Sequence, residues 1–178
     1  EPFPHVVIDN FLPEDFLDRV LAEFPSERDM DWYNYEGVSE AKRASKPELQ
    51  MGYTTRLLLY QLNSSFFLNF LQELTGIKEA IIPDPYFEGG GLHEIVPGGY
   101  LKVHIDSNRH SRLKLDRRIN LLIYLNKDWH EDYGGHLEFW DREVSTCHIK
   151  VLPIFNRCVI FNTDDSSYHG HPDPLNCP

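Results

Sequence analysis

Residues 98–106 read GGYLKVHID, and this stretch decides how the rest of the chain is read. Leu101, Val103 and Ile105 alternate with Tyr100, Lys102, His104 and Asp106, the period-two pattern of a strand with one packed face. His104 and Asp106 are therefore expected to project to the same side, with Leu101, Val103 and Ile105 buried on the other. An imidazole and a carboxylate side by side, joined by a second imidazole from elsewhere, form the facial donor set that holds non-haem Fe(II) and leaves coordination positions open. His-x-Asp occurs three times, at His104/Asp106, His130/Asp132 and His171/Asp173. The second lies in polar KDWHEDYGG, which does not alternate. The third stands beside Pro172 and Pro174, in a tail expected to stay out of a sheet interior. Only the first has strand sequence around it.

Outward from this segment, short β segments follow one another at 91–96, 100–106, 119–125, 136–140, 146–151 and 157–162. Turn residues at 97–99, 134–135 and 141–143 separate them. Strands at this spacing predict a sandwich or barrel. The first eighty residues mix strand and helix. HVVID at 5–9 reads as a strand, and Pro13 opens a helix through about Phe24 with Glu14 and Asp15 at its positive end. Residues 30–52 are aromatic and aperiodic and predict a long loop, of a length that in compact domains is a functional lid or a mobile segment. A short helix follows at 56–62. Ser64 or Ser65 caps another that Gly76 ends, with Phe66, Phe70 and Leu74 recurring every four residues beside Phe67 and Leu71 as expected core. The predicted class is mainly β with flanking helices, the N-terminal helices packed on one face. A single domain spans 1–178, with 1–80 as helical and lid support and 81–178 as the β core.

Composition narrows the partners. A net charge of −11 disfavours nucleic acid and anionic membranes, which both require positive fields. No run of about eighteen apolar residues offers a membrane span, and no signal peptide is visible. Cys147, Cys158 and Cys177 lack metal-type spacing and read as idle thiols of a reducing compartment, which predicts a cytoplasmic location. One segment runs against the acidic trend: Arg109, Arg112, Lys114, Arg117 and Arg118 face only Asp116. Its place directly after His104/Asp106 makes Arg109 and Arg112 candidates for drawing an anionic substrate. Trp32 and Tyr33, in the predicted loop, are candidate aromatic anchors for the same substrate.

The motif order HIDS…RRINLLIYLNKDW…YGGHLEFW…NRCVIFNTDDSSYHGHP resembles the Fe(II)/2-oxoglutarate-dependent dioxygenases, specifically the prolyl-4-hydroxylase-like branch. The resemblance covers about residues 84–172, and PHVVIDNFLPEDF near the amino end is similar to the entry segment of related bacterial members. It implies a double-stranded β-helix (a cupin-like jelly roll) with a metal in its mouth. His104 and Asp106 fall on the first two ligand positions. The third is a choice between His169 and His171, and His169, which precedes a glycine, matches the family pattern, leaving His171 on the rim. Tyr124 in YLN matches a tyrosine that meets the distal carboxylate of 2-oxoglutarate, and Asn120 shares its strand parity. His93 lies on a strand that flanks the metal in the family.

Implied cofactors are Fe(II), 2-oxoglutarate as cosubstrate and O2, with ascorbate as a candidate addition. The implied reaction couples oxidative decarboxylation of 2-oxoglutarate to hydroxylation of an unactivated C–H bond. A prolyl or other amino-acid residue or derivative is the first choice of substrate, in a peptide or as a small molecule. A small-molecule or glycan hydroxylase of the same class is the alternative, followed by a cupin-type metal enzyme or binding module that does not use 2-oxoglutarate. The family's basic partner for the distal carboxylate, and the last strand of the jelly roll, are expected beyond Pro178.

Overall fold

The structure, a computed structural model, describes residues 2–26, 31–45 and 50–178. The elements in chain order are β1 (His5–Ile8), α1 (Glu14–Ala22), β2 (Trp32–Glu36), β3 (Ala41–Ser45), α2 (Tyr53–Leu62), α3 (Ser65–Thr75), β4 (His93–Glu94), β5 (Leu101–His104), β6 (Ile119–Ile123), β7 (Leu137–Trp140), β8 (Cys147–Val151), β9 (Cys158–Asn162) and β10 (His169–His171). The chain divides into two compact units. One comprises Glu1–Leu17, Asn34–Arg43 and His93–Pro178; the other comprises Asp18–Tyr33 and Ala44–Leu92.

The first unit holds two antiparallel sheets, in the orders β1-β9-β6 and β5-β10-β7-β8. Residues directly opposite in an antiparallel pair share a face. Leu122 stands opposite Val159, Leu137 opposite Val151 and Phe139 opposite Ile149, so each sheet presents an apolar row. These rows and Phe3 make one cluster of Phe3, Leu137, Phe139, Val151, Val159 and Phe161, with Leu122, Tyr124 and Ile149 packed against it. The architecture is the mainly β one predicted. β9 carries the unbroken apolar run CVIF because both of its faces are buried.

Three expectations about strands need correction. The HGH segment, read as part of a tail outside any sheet, is β10, a central strand between β5 and β7. Pro172 follows its last residue and so removes no ladder donor. Second, strand β5 ends at His104, and Ile105 is exposed. Leu101 pairs with His171 while His104 pairs with His169, so β5 spends three residues where β10 spends two. That bulge reverses parity between Leu101 and His104 and puts Leu101 on the histidine face rather than behind it. Third, the predicted loop at 30–52 contains β2 and β3, turned where Gly37 N–H donates to the Glu40 carbonyl (2.9 Å). Met30 and residues 46–49 of that stretch lie outside the described residues.

In the second unit, Trp32, Met51 and Leu92 form a buried cluster with Phe24 and Leu59. α2 begins at Gly52, which has no side chain to cap it. The Glu23 carboxylate takes that role, accepting from the amides and hydroxyls of Thr54 and Thr55. Gly52 is required there because a Cβ would run into that carboxylate. The Ser64 cap and Gly76 end of α3 are as predicted. Its stripe is so only in part: Leu71 is buried as expected, with Leu68 beside it, whereas Phe66, Phe70 and Leu74 are exposed. The four-residue recurrence of large apolar side chains matched one helix face, but the packed face is the adjacent one. Among the described residues, no helix is long and apolar enough to cross a membrane.

Candidate metal centre

His104 closes β5 and His169 opens β10, directly opposite each other, which brings the imidazoles to one face with centroids 4.6 Å apart. Asp106 lies two residues past β5 and turns back between them. Its Oδ1 is 3.3 Å from His104 Nε2 and its Oδ2 is 3.6 Å from His169 Nε2. The three side chains each offer a ligand atom within 4.8 Å of the others. Two ligands about 2.1 Å from one ion and at right angles stand ~3 Å apart, so the nitrogen–oxygen separations fit a shared ion.

The backbone sets the ring tautomers. His104 Nδ1 is 2.8 Å from the Lys102 carbonyl, and His169 Nδ1 is 2.9 Å from the Ser167 carbonyl. A carbonyl only accepts, so each Nδ1 carries the proton and each neutral ring presents an Nε2 lone pair toward Asp106. The Ser167 carbonyl is itself held by a turn in which Asp164 Oδ1 accepts from the Ser166 amide and the Ser166 and Ser167 hydroxyls. Asn120, on β6, donates its amide to Asp106 Oδ2 at 2.6 Å. Gly170 allows β10 to approach the bulged β5, because a Cβ there would meet the Leu101 and Lys102 carbonyls.

Charge is distributed as such a site needs. Burial disfavours the Asp106 carboxylate, but the His104 contact, the two imidazoles and the Asn120 amide outweigh it and hold the carboxyl at about 2. Burial keeps His169 below the usual imidazole range. For His104 burial acts the same way, yet the Asp106 and Lys102 contacts overcome it and raise the ring.

The other candidates fall in varied places. Tyr124 lies against the inner apolar cluster, where burial raises its hydroxyl above the ordinary phenol range and keeps it neutral. His171, expected at the rim, is 8% exposed on β10. Burial pushes its ring down to about 4. His93 is exposed on β4. Arg109 and Arg112 are exposed, and the basic run is a folded turn in which Arg109 bridges to Asp116. At its centre is buried His110, whose Nδ1 accepts the amides of Arg112 and Leu113. Nothing in the local pattern singled out His110. Trp32 is a core residue of the second unit, and Tyr33 is 52% exposed there.

The family model described as the 2OG-Fe(II) oxygenase superfamily matches residues 90–178, half of the chain. This chain belongs to that superfamily. The superfamily is one of oxygenases that use Fe(II), 2-oxoglutarate and O2. A prolyl 3-hydroxylase of Mus musculus, OGFOD1, is 25% identical over 182 residues, which cover 95% of this chain and 29% of that protein. The chain thus spans under a third of that relative. A Pseudomonas putida prolyl-4-hydroxylase superposes with a TM-score of 0.65 at 17% identity, covering 96% of this chain and 85% of that one. A Trichoplax adhaerens prolyl hydroxylase, solved with a peptide fragment of the hypoxia inducible factor oxygen degradation domain, gives 0.65 at 19% identity, with 96% and 78% covered. The chain of this superfamily shares the jelly-roll fold of these two solved structures.

Proposed function

We propose that the chain binds Fe(II) through His104, Asp106 and His169 and hydroxylates a prolyl or other amino-acid residue of a peptide or protein. The observation that carries this reading is the convergence of two Nε2 lone pairs on one carboxylate, with each tautomer set by a backbone carbonyl. Two imidazoles and one carboxylate on a single face are the donors Fe(II) takes when positions must stay open. When bound, Fe(II) with 2-oxoglutarate and O2 supplies the oxidation that converts a C–H bond to C–OH, releasing succinate and CO2.

The chain's own groups do the rest. His104 and His169 donate through Nε2, and ionised Asp106 offsets one positive charge. Asn120 is a positioning residue: its amide engages Asp106 Oδ2 and would hold the carboxylate in place for an ion. Tyr124 contributes a neutral hydroxyl to the cosubstrate's distal carboxylate. Arg109 and Arg112 form an exposed basic edge that attracts acidic substrate, with His93 and Tyr33 as further contacts. The prolyl reading is supported by relatives named as prolyl hydroxylases, one of them holding a peptide. Residues 1–178 act as one oxygenase domain in this reading. A cytoplasmic setting accords with three free thiols, and ascorbate serves as an accessory reductant.

Anaerobic addition of Fe(II) and 2-oxoglutarate should raise a weak visible charge-transfer band, and O2 should then yield succinate. His104→Ala or Asp106→Ala should remove both. A folded wild-type chain with no band overturns the reading. Succinate formation stimulated by metabolites or glycans but by no prolyl peptide overturns its substrate half.

A further inference from the structure

The two imidazoles of the centre are held by different kinds of backbone. His104 bonds to the carbonyl of Lys102, a residue inside β5 whose amide is itself held by the Ser39 carbonyl. His169 opens β10, so its Nδ1 partner, the Ser167 carbonyl, lies upstream of the strand and outside its ladder. Strand pairing therefore fixes one ring's partner and leaves the other's to the turn at residues 163–168.

That turn is organised by one carboxylate. Asp164 Oδ1 accepts from the Ser166 amide (2.7 Å), the Ser166 hydroxyl (2.7 Å) and the Ser167 hydroxyl (2.9 Å). The Ser167 hydroxyl in turn accepts from the Asp164 amide (3.2 Å), which closes residues 164–167 into a ring. Asp164 Oδ2 accepts the side-chain amide of Asn162, the last residue of β9, at 2.6 Å. The Thr163 amide donates to the Arg118 carbonyl (3.0 Å), directly before β6. The turn is thus anchored to one sheet and delivers its carbonyl to a histidine of the other. Ser167 is 2% exposed, so water does not compete for these bonds. Burial disfavours the Asp164 charge, yet the donors of Ser166, Ser167 and Asn162 outweigh it and hold the carboxyl below its ordinary value. Closing a turn needs far less: one side-chain bond to the backbone two residues on is the usual device. Here the additional bonds converge on the residue whose carbonyl serves a candidate ligand.

We propose that Asp164 is a positioning residue for His169, holding the Ser167 carbonyl where it keeps the ring's proton on Nδ1 and the Nε2 lone pair toward Asp106. An imidazole has two neutral tautomers of similar energy, so a fixed acceptor at one nitrogen decides which is present. The consequence for metal binding rests on the oxygenase reading. The tautomer does not, because it belongs to the metal-free chain, and the test uses that difference.

Nitrogen-15 NMR of the metal-free full chain reads the tautomer of each histidine, and Mn(II) titration followed by electron paramagnetic resonance reads binding. Asp164→Ala should move His169 from the Nδ1–H form toward the Nε2–H form and leave His104 as it is. Mn(II) affinity should fall about 10- to 100-fold, the range for losing an outer partner of a metal ligand. Asp164→Asn should restore both readouts, because its amide oxygen accepts the same donors and Asn162 can turn its own amide to meet the new one. Asp9→Ala breaks the ion pair of Asp9 with Arg157, at the other end of β9, and serves as the comparison for destabilisation alone. It should lower the melting temperature and move neither readout. Where Asp164→Ala does not fold, Ser167→Ala, which removes one hydroxyl, decides in its place and should move both readouts in the same direction. Either readout unchanged in the deciding variant, an equal shift at His104, an Asp164→Asn chain as impaired as Asp164→Ala, or an Asp9→Ala chain with the same changes would each overturn the role. A wild type that takes no Mn(II) overturns the metal reading, and the His169 tautomer then decides the geometric role by itself. A wild type that binds Mn(II) no better than Asp164→Ala overturns this role alone.

Discussion

Replacing Gly170 by alanine should damage stability and metal affinity together. The new methyl would lie 2.7 Å from the Leu101 carbonyl oxygen and 2.9 Å from that of Lys102, where ordinary contact begins at 3.4 Å. Both obstacles are backbone, so no side chain can swing aside, and β5 and β10 must part by about 0.7 Å. Overpacking of this kind costs about 1–3 kcal/mol. In a chain of this size that lowers the melting temperature by about 3–10 °C. The same two strands carry His104 and His169, and ligand distances tolerate only about 0.2 Å of error. Mn(II) affinity should therefore fall about 10-fold or more, the scale on which displaced supports of a metal ligand act. Thermal melts followed by circular dichroism and Mn(II) titrations followed by electron paramagnetic resonance read the two effects. A Gly170→Ala chain that melts within a degree or so of the wild type and binds Mn(II) equally well would refute the close-approach argument.

In the metal-free chain, Asp106 should titrate at about 2 by carbon-detected NMR. Its folded pKa is depressed, so its contribution is fully present above the unfolded value of 3.8 and is lost as pH falls through about 2. At most about 2 kcal/mol is involved, and urea unfolding of wild type and Asp106→Asn should differ less at pH 3 than at pH 7; an equal difference at both would contradict the assignment. Asn120→Ala should weaken Mn(II) binding about 10- to 100-fold with little change in folding, and unchanged affinity would remove Asn120 from its positioning role. Neutralising Arg109 and Arg112 together should raise KM for an acidic peptide and flatten its salt dependence without altering uncoupled 2-oxoglutarate turnover. The same KM at low ionic strength would return that turn to plain solvated surface.

How much of this was readable beforehand depended on the range of the interaction concerned. The helix with its Ser64 cap and Gly76 stop, the first strand and the run of short β segments were legible because caps, turns and periodicity act over a few residues. The pairing of His104 with Asp106 was legible for the same reason, being two residues apart on one stretch of chain. The outward turn of Phe66, Phe70 and Leu74 was not, since a stripe shows amphipathicity without saying which neighbour covers it. Nor was the strand at His169–His171, whose three residues carry no period of their own and become a strand only because β5 and β7 flank them. The bulge that turns Leu101 inward depends on backbone brought together from positions about seventy residues apart. The sequence by itself determined the mainly β class and which side chains could ligate a metal, because both are properties of residue type and local spacing. Only the tertiary structure decided which face each of those residues took, because strand register is set by the pairing of distant segments and a single inserted residue reverses it.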